Sequence, residues 1–210
     1  DGPYRDKKAY DLLIQSEAGF LSVTGTPETP SKAGNSIADI AAGMYAYTNI
    51  LAALLQRGKT GKGSVIDVSM LESLGEWMSF PLYYAYDGAD APPSNGASHA
   101  TIYPYGPFKA GDGKTVMLGL QNEREWAQFC ETVLQNPSLA SDERFDKNFK
   151  RNERRTELLN IIDTCFSTLT SDELITRLEK AQIANAHLND MAGLWKHEQL
   201  KARQRWTEID

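Results

Sequence analysis

The sequence is poor in the residues that crosslink chains or bind metals. Cys130 and Cys165 are its only cysteines, and they are far apart and not in a metal-ligand spacing. His99, His187 and His197 are scattered, so no His/Cys metal site is expected. Positive charge is also short, with 22 Lys and Arg against 28 Asp and Glu and a net charge of −6. That balance gives no general attraction to nucleic acid or to an anionic membrane. No uninterrupted apolar run approaches the roughly 18 residues of a membrane span. The opening stretch, DGPYRDKKAY, has the pattern of neither a signal peptide nor a transit peptide. Two lone cysteines suit a reducing compartment, cytoplasm or mitochondrial matrix, where they pack as small hydrophobes. Repeats and low-complexity tracts are absent.

What is present reads as a globular α/β pattern of one large or two small domains. A short helix is expected over Lys8–Gly19, with Gly19 as its C-cap, then a Gly/Pro/Thr/Ser loop from Thr24 to Gly34. Asn35 or Ser36 can cap a long helix in which Ile37, Ile40, Ala41, Met44, Thr48, Leu51 and Leu55 recur at helical spacing. Its small residues, Ala38, Ala42, Gly43 and Ala46, predict deep packing. Lys59–Gly63 reads as a basic turn, Ser64–Ser69 as a strand, and Met70–Tyr86 as a helix with Leu71, Leu74, Trp77, Met78 and Leu82 inward and a kink at Pro81. A Gly/Pro/Ser/Asn stretch from Asp87 to Ala100 marks a boundary. Strands over Thr101–Lys109 and Thr115–Leu120 flank a Gly111-Asp112-Gly113 turn. Helices follow over Asn122–Gln135, Asn152–Leu169 and Ser171–Gln182, with partial helix over Leu188–Arg203. Arg205–Asp210 reads as the start of a strand cut in mid-pattern, and no element opens the chain before Lys8. A piece of a longer protein is therefore expected.

Asp39 is the most informative side chain. It is an acid in the first turn of an otherwise apolar, small-residue helix. Pattern alone leaves two readings open: a favourable partner for the helix dipole, or a carboxylate held beside a cleft as a nucleophile. Lys7 and Lys8, next to Tyr10, read either as solvated lysines or as a phosphate site. The run Ser94–His99 reads as a linker or as a mobile loop over a site. Trp126 reads as a core anchor rather than a ligand platform.

Taken together, several motifs carry a resemblance. They are Gly2-Pro3-Tyr4, Lys8-Ala9-Tyr10-Asp11, the run Gly19–Gly25 (GFLSVTG), Ile37-Ala38-Asp39-Ile40-Ala41-Ala42-Gly43, and Leu51–Met70 (LAALLQRGKTGKGSVIDVSM). In order and spacing the chain resembles the family III CoA-transferases over essentially its whole length. Tyr103–Phe108, Gln121–Trp126 and Leu188-Asn189-Asp190 look like the branch that takes CoA from succinyl-CoA and gives it to acids such as itaconate, mesaconate, citramalate or malate.

The resemblance implies a large Rossmann-like α/β domain, a smaller α+β domain, and a homodimer of interlocked rings. On that plan residues 1–86 belong to the large domain, 87–100 form a linker or flap, and 101–210 form the small domain and the start of the return. It further implies that Asp39 attacks an acyl-CoA thioester, that Lys8, Ala9 and Tyr10 bind CoA or line the site, and that Gly96 and His99 lie on a flap. CoA is a substrate here, and no permanently bound cofactor or metal is implied. Two alternatives remain: a racemase of the α-methylacyl-CoA type, and a non-catalytic CoA binder. The racemase pattern needs a histidine where Tyr10 stands, and a phenol of pKa about 10 is a poor acid/base near neutrality.

Overall fold

The computed structural model describes residues 2–207. The chain forms two units, residues 1–100 and 101–210. The expected terminal strand falls on Arg205–Thr207, which pair with no strand, and on residues 208–210, outside the described residues.

The first unit is helical. It contains α1 (Asp11–Glu17), α2 (Phe20–Val23), α3 (Ile37–Thr60), α4 (Met70–Trp77) and α5 (Ser79–Tyr84). Gly19 does not end α1. It sits at φ 76° as the N-cap of α2, and Ala18 closes α1 instead. Alanine and leucine, strong helix formers, carry α3 through 24 residues. Gly61 at φ 70° stops it, its N–H donating to Arg57 O at 2.8 Å.

A small core of Ile14, Ala38 and Leu74 joins α1, α3 and α4, with Ala18, Ile37 and Met70 against it. The deep packing expected along α3 is not found here. Ala38 and Ala41 are buried, but Ile40, Met44, Leu51 and Leu55 are exposed, Leu55 to 72%. The reason is geometric: α1 and α4 meet only part of a helix that is ~36 Å long at 1.5 Å per residue. By length and composition α3 would also pass as a membrane span.

Two further expectations give way nearby. Ser64–Ser69 forms no strand, and Val65 is fully exposed. An alternating pattern needs a neighbouring strand to pair with, and among the described residues of this unit there is only an isolated bridge, Gly25 to Pro30. The expected helix Met70–Tyr86 breaks at Met78 (φ −87°, ψ 6°), so Pro81 falls in the first turn of α5. Its missing N–H costs nothing there. Leu74 and Met78 are buried as expected, whereas Leu71, Trp77 and Leu82 are exposed.

The second unit packs helices on an antiparallel sheet of β1 (Tyr105–Lys109), β2 (Thr115–Gly119) and β3 (Ala184–His187), in that order. Phe108 pairs with Val116 and Met117 with Ala186. The first strand starts later than expected because Thr101 and Tyr103 bond to a side chain. Asn148 Nδ2 donates to Thr101 O, and Tyr103 N–H donates to Asn148 Oδ1. Gly111, in the β1–β2 turn, donates its N–H to Leu169 O at 2.7 Å, and a Cβ there would lie 2.2 Å from Ser167 O.

The helices of this unit are α6 (Glu123–Gln128), α7 (Asn148–Glu153), α8 (Arg155–Phe166), α9 (Ser171–Lys180), α10 (Met191–Trp195) and α11 (Glu198–Ala202). A single π turn, Phe129–Val133, continues α6 and turns Phe129, Cys130 and Val133 into the core. The expected helix over Asn152–Leu169 is split at Arg154 into α7 and α8. Thr170 is the N-cap of α9, in a reciprocal capping box with Glu173. Trp126, Phe145, Leu158, Ile162, Phe166 and Leu174 fill a continuous core. Burial pushes the Cys130 thiol up to about 12.

Arg144 holds the Asp142 carboxyl at about 2, below its ordinary 3.8, chiefly by a side-chain hydrogen bond (Nη2 to Oδ2, 2.7 Å) and then by its backbone N–H. A carboxylate depressed in the folded state stabilises fully above its unfolded pKa and stops doing so as pH falls through the folded value. Part of the acid sensitivity of this unit should therefore lie between about pH 4 and pH 2. Denaturant titrations across that range should show a shallower pH slope for Asp142→Asn. An unchanged slope would remove the Arg144 pair from the account.

Candidate active site

The segment before α1 is basic and aromatic. Lys8 and Ala9 line a cavity of about 330 Å³ together with Tyr4, Arg5 and Lys7, while Leu13, Ile14 and Met70 supply an apolar side. Lys7 pairs with Glu17 and lies 4.3 Å from the Tyr4 ring centroid. The hydrogen bond to Glu17 raises the Lys7 pKa above its usual value. With Lys7 engaged in this way, Arg5 and Lys8 are the other cations at the cavity. Cations, an aromatic ring and an apolar wall together suit a ligand with both phosphate and hydrocarbon parts.

Tyr10 is the N-cap residue of α1, extended at φ −141° and 71% exposed. Asp39 is the third residue of α3, exposed, with buried Ala38 before it. Neither Tyr10 nor Asp39 is among the residues that line the cavity. The segment expected as a flap is tied to this same unit. Gly96, at φ 61°, donates its N–H to Gly25 O at 2.6 Å. Gly25, at φ 89°, has no room for a Cβ, which would lie 2.3 Å from Thr29 O. His99 is half-buried three residues further on. The structure thus gathers Lys8 and Ala9 at one cavity, leaves Tyr10 and Asp39 accessible outside it, and fixes Gly96 to the loop that leads towards α3.

Sequence reasoning gave no role to Asp11 or Gln15. Asp11 Oδ1 accepts the Ala38 N–H at 2.9 Å and Oδ2 accepts Gln15 Nε2 at 2.7 Å. Gln15 Oε1 in turn accepts the Ala33 N–H at 2.9 Å. The available signal was the polar pair at i and i+4 on the side of α1 that also carries Ile14. Among the described residues no group of three or more His, Cys, Asp and Glu side chains is placed to hold a metal ion.

The sequence profile of CoA-transferase family III matches residues 1–210. This chain belongs to that family. An acyl-CoA transferase of Fusarium pseudograminearum is 32% identical, the match covering 99% of this chain and 45% of that protein. A succinate–glutarate CoA-transferase of Agrobacterium fabrum is 31% identical over 100% of this chain and 52% of its own. Among solved structures, a CaiB/BaiF family protein of Brucella suis superposes with a TM-score of 0.81 at 30% identity, over 97% of this chain and 53% of that one. A hypothetical protein of Mycobacterium tuberculosis gives 0.85 at 20% identity and shows the shared fold. The chain spans about half the length of the relatives it matches, and its mixed helix-and-sheet architecture is that of these CoA-transferase family members.

Proposed function

We propose that this chain is the part of a CoA-transferase that carries the nucleophile, and that the enzyme moves CoA from succinyl-CoA or a similar thioester to a dicarboxylic acid. Family membership over all 210 residues supports this reading, as do relatives named for glutarate, mesaconate and L-malate. The observation that carries it is Asp39, an accessible carboxylate in the first turn of α3, in the unit whose pre-α1 segment lines a basic, half-apolar cavity.

The chemistry conserves the thioester bond energy. An Asp39 oxygen attacks the thioester carbonyl carbon, the C–S bond breaks, and CoA leaves as thiolate from a mixed anhydride. The thiolate then attacks the Asp39 carbonyl carbon, expelling the donor acid and leaving an aspartyl-CoA thioester. The acceptor carboxylate attacks that thioester, again releasing CoA thiolate. A last attack by the thiolate on the acceptor carbonyl yields the new acyl-CoA and free Asp39. Each step exchanges one activated acyl bond for another, so water must be kept out. The segment around Gly96 would serve that end, with His99 near the substrate carboxylate. Lys8 would bind CoA, and Tyr10 would form part of the wall.

The exposed apolar residues of α3, Ile40, Met44, Leu51, Leu54 and Leu55, need cover in the full-length protein. Interlocked homodimerisation would supply it.

The test is to incubate the full-length protein with succinyl-CoA, trap with borohydride or hydroxylamine, digest, and locate the adduct by mass spectrometry. Modification at Asp39 is the expected result. An unmodified Asp39, with succinyl-CoA shown to bind, would overturn this reading.

A further inference from the structure

The helix that carries Asp39 does not cap itself. Ser36 is its N-cap residue, yet its side chain makes no capping hydrogen bond. The first turn of a helix has N–H groups without intrahelical partners, and leaving one buried and unpaired is costly. Here the buried Ala38 N–H is taken by Asp11, 27 residues earlier on α1. Asp11 is held in turn by Gln15, which is fully buried and whose other end takes the Ala33 N–H. These two backbone anchors bracket residues 34–37, the approach to α3 and its first residue. One carboxylate and one amide therefore set where α3 begins, and Asp39 is the residue immediately after the anchored Ala38.

We propose that Asp11, seated by Gln15, is a positioning residue for Asp39: it fixes the first turn of α3 so that the Asp39 carboxylate meets the thioester carbonyl. The proposal rests on Asp39 being the nucleophile. In this role Asp11 acts through the backbone of Ala38 rather than on the substrate. A displacement of about 1 Å at a reacting group can cost ~100-fold in rate, so loss of this anchor should show mainly in the chemical steps.

The test uses the full-length protein and three variants. Asp11→Ala removes both bonds. Asp11→Asn keeps an oxygen for the Ala38 N–H. Gln15→Leu leaves Asp11 in place but unseated. Adduct formation at Asp39 in a single turnover, kcat, KM for succinyl-CoA and circular dichroism are recorded for each. Asp11→Ala should slow adduct formation and lower kcat by about 10- to 100-fold with KM changed less than about threefold. Asp11→Asn should recover most of the rate, and Gln15→Leu should fall between.

The proposal is overturned if Asp11→Ala labels Asp39 at the wild-type rate, if KM rises while kcat holds, or if Asp11→Asn is as slow as Asp11→Ala. Should Asp11→Ala fail to fold, the other two decide it. A Gln15→Leu protein of wild-type rate, or an Asp11→Asn protein that has lost the rate despite being folded, rejects it. Failure of the underlying reading looks different: wild-type protein that binds succinyl-CoA and never labels Asp39 removes the nucleophile, and this proposal with it.

Discussion

Asp39→Ala in the full-length protein is expected to lower CoA transfer by at least about 10³-fold while leaving the fold unchanged. The loss of transfer follows from the proposed role of Asp39 as nucleophile, and the unchanged fold from the structure. Asp39 is exposed, and the Asp11 anchor bonds the backbone of Ala38, so no described contact of the cap depends on the Asp39 side chain. Alanine is also a better helix former than aspartate. Asp39→Glu keeps the charge but carries the carboxylate one methylene further, and about 100-fold loss is expected from misplacement. Steady-state transfer from succinyl-CoA, with circular dichroism as the control for folding, checks both. An Asp39→Ala protein of near wild-type activity would sink the assignment.

The largest expected loss of stability is in the other unit. Arg151 is 2% exposed and fills a polar slot in an otherwise apolar core. Its Nε donates to Tyr103 O at 3.0 Å, and Nη1 donates to Phe145 O at 2.9 Å and to Glu123 Oε2 at 2.7 Å. The guanidinium also lies 4.9 Å from the Trp126 ring centroid. Arg151→Ala deprives two buried carbonyls of these donors, each at roughly 1–3 kcal/mol, and opens a cavity as well. A loss of about 3–5 kcal/mol is expected. Arg151→Lys should recover only part, because an ammonium lacks the planar fork that reaches Tyr103, Phe145 and Glu123 together. Glu123 is about half-exposed, so Glu123→Gln should cost much less. Urea unfolding of the three variants measures the order. Equal stability of Arg151→Ala and wild type would show that water replaces the guanidinium.

The second unit was the more legible in sequence, and the reason is physical. Its expected elements bury their apolar faces within residues 101–210: Phe108 against Phe166 at 5.9 Å, and Phe129 against Phe166 at 6.2 Å. Pattern and packing there agree. β3 was missed because Ala184-Asn185-Ala186-His187 is only four residues long, has no β-branched or aromatic side chain, and exists by pairing with β2. The first unit was misread wherever a pattern implied a neighbour that the chain does not itself provide, as with Ser64–Ser69 and the outer face of α3. Asp39 was legible as an acid misplaced in an apolar helix. Asp11 was not, because its local mark, a polar pair with Gln15, does not reveal that it caps a helix 27 residues away. The same device recurs at Asp112, whose Oδ2 accepts both the N–H and the hydroxyl of Ser171 at the start of α9. The hydrogen bond from the Ser171 N–H is the main reason its pKa lies below the ordinary carboxylate value.

The unpaired segment after α3 bears on how the chain behaves in solution. Residues 64–66 are exposed, two of the three are β-branched, and they pair with no strand. Such a ribbon templates a foreign strand, and the first step of amyloid-like self-association uses the same bonds. The charges around it act as gatekeepers: Lys59 and Lys62 before it and Asp67 after it. Solubility of the chain on its own would therefore depend in part on these three charged side chains, and their effect would weaken with salt as the charges are screened.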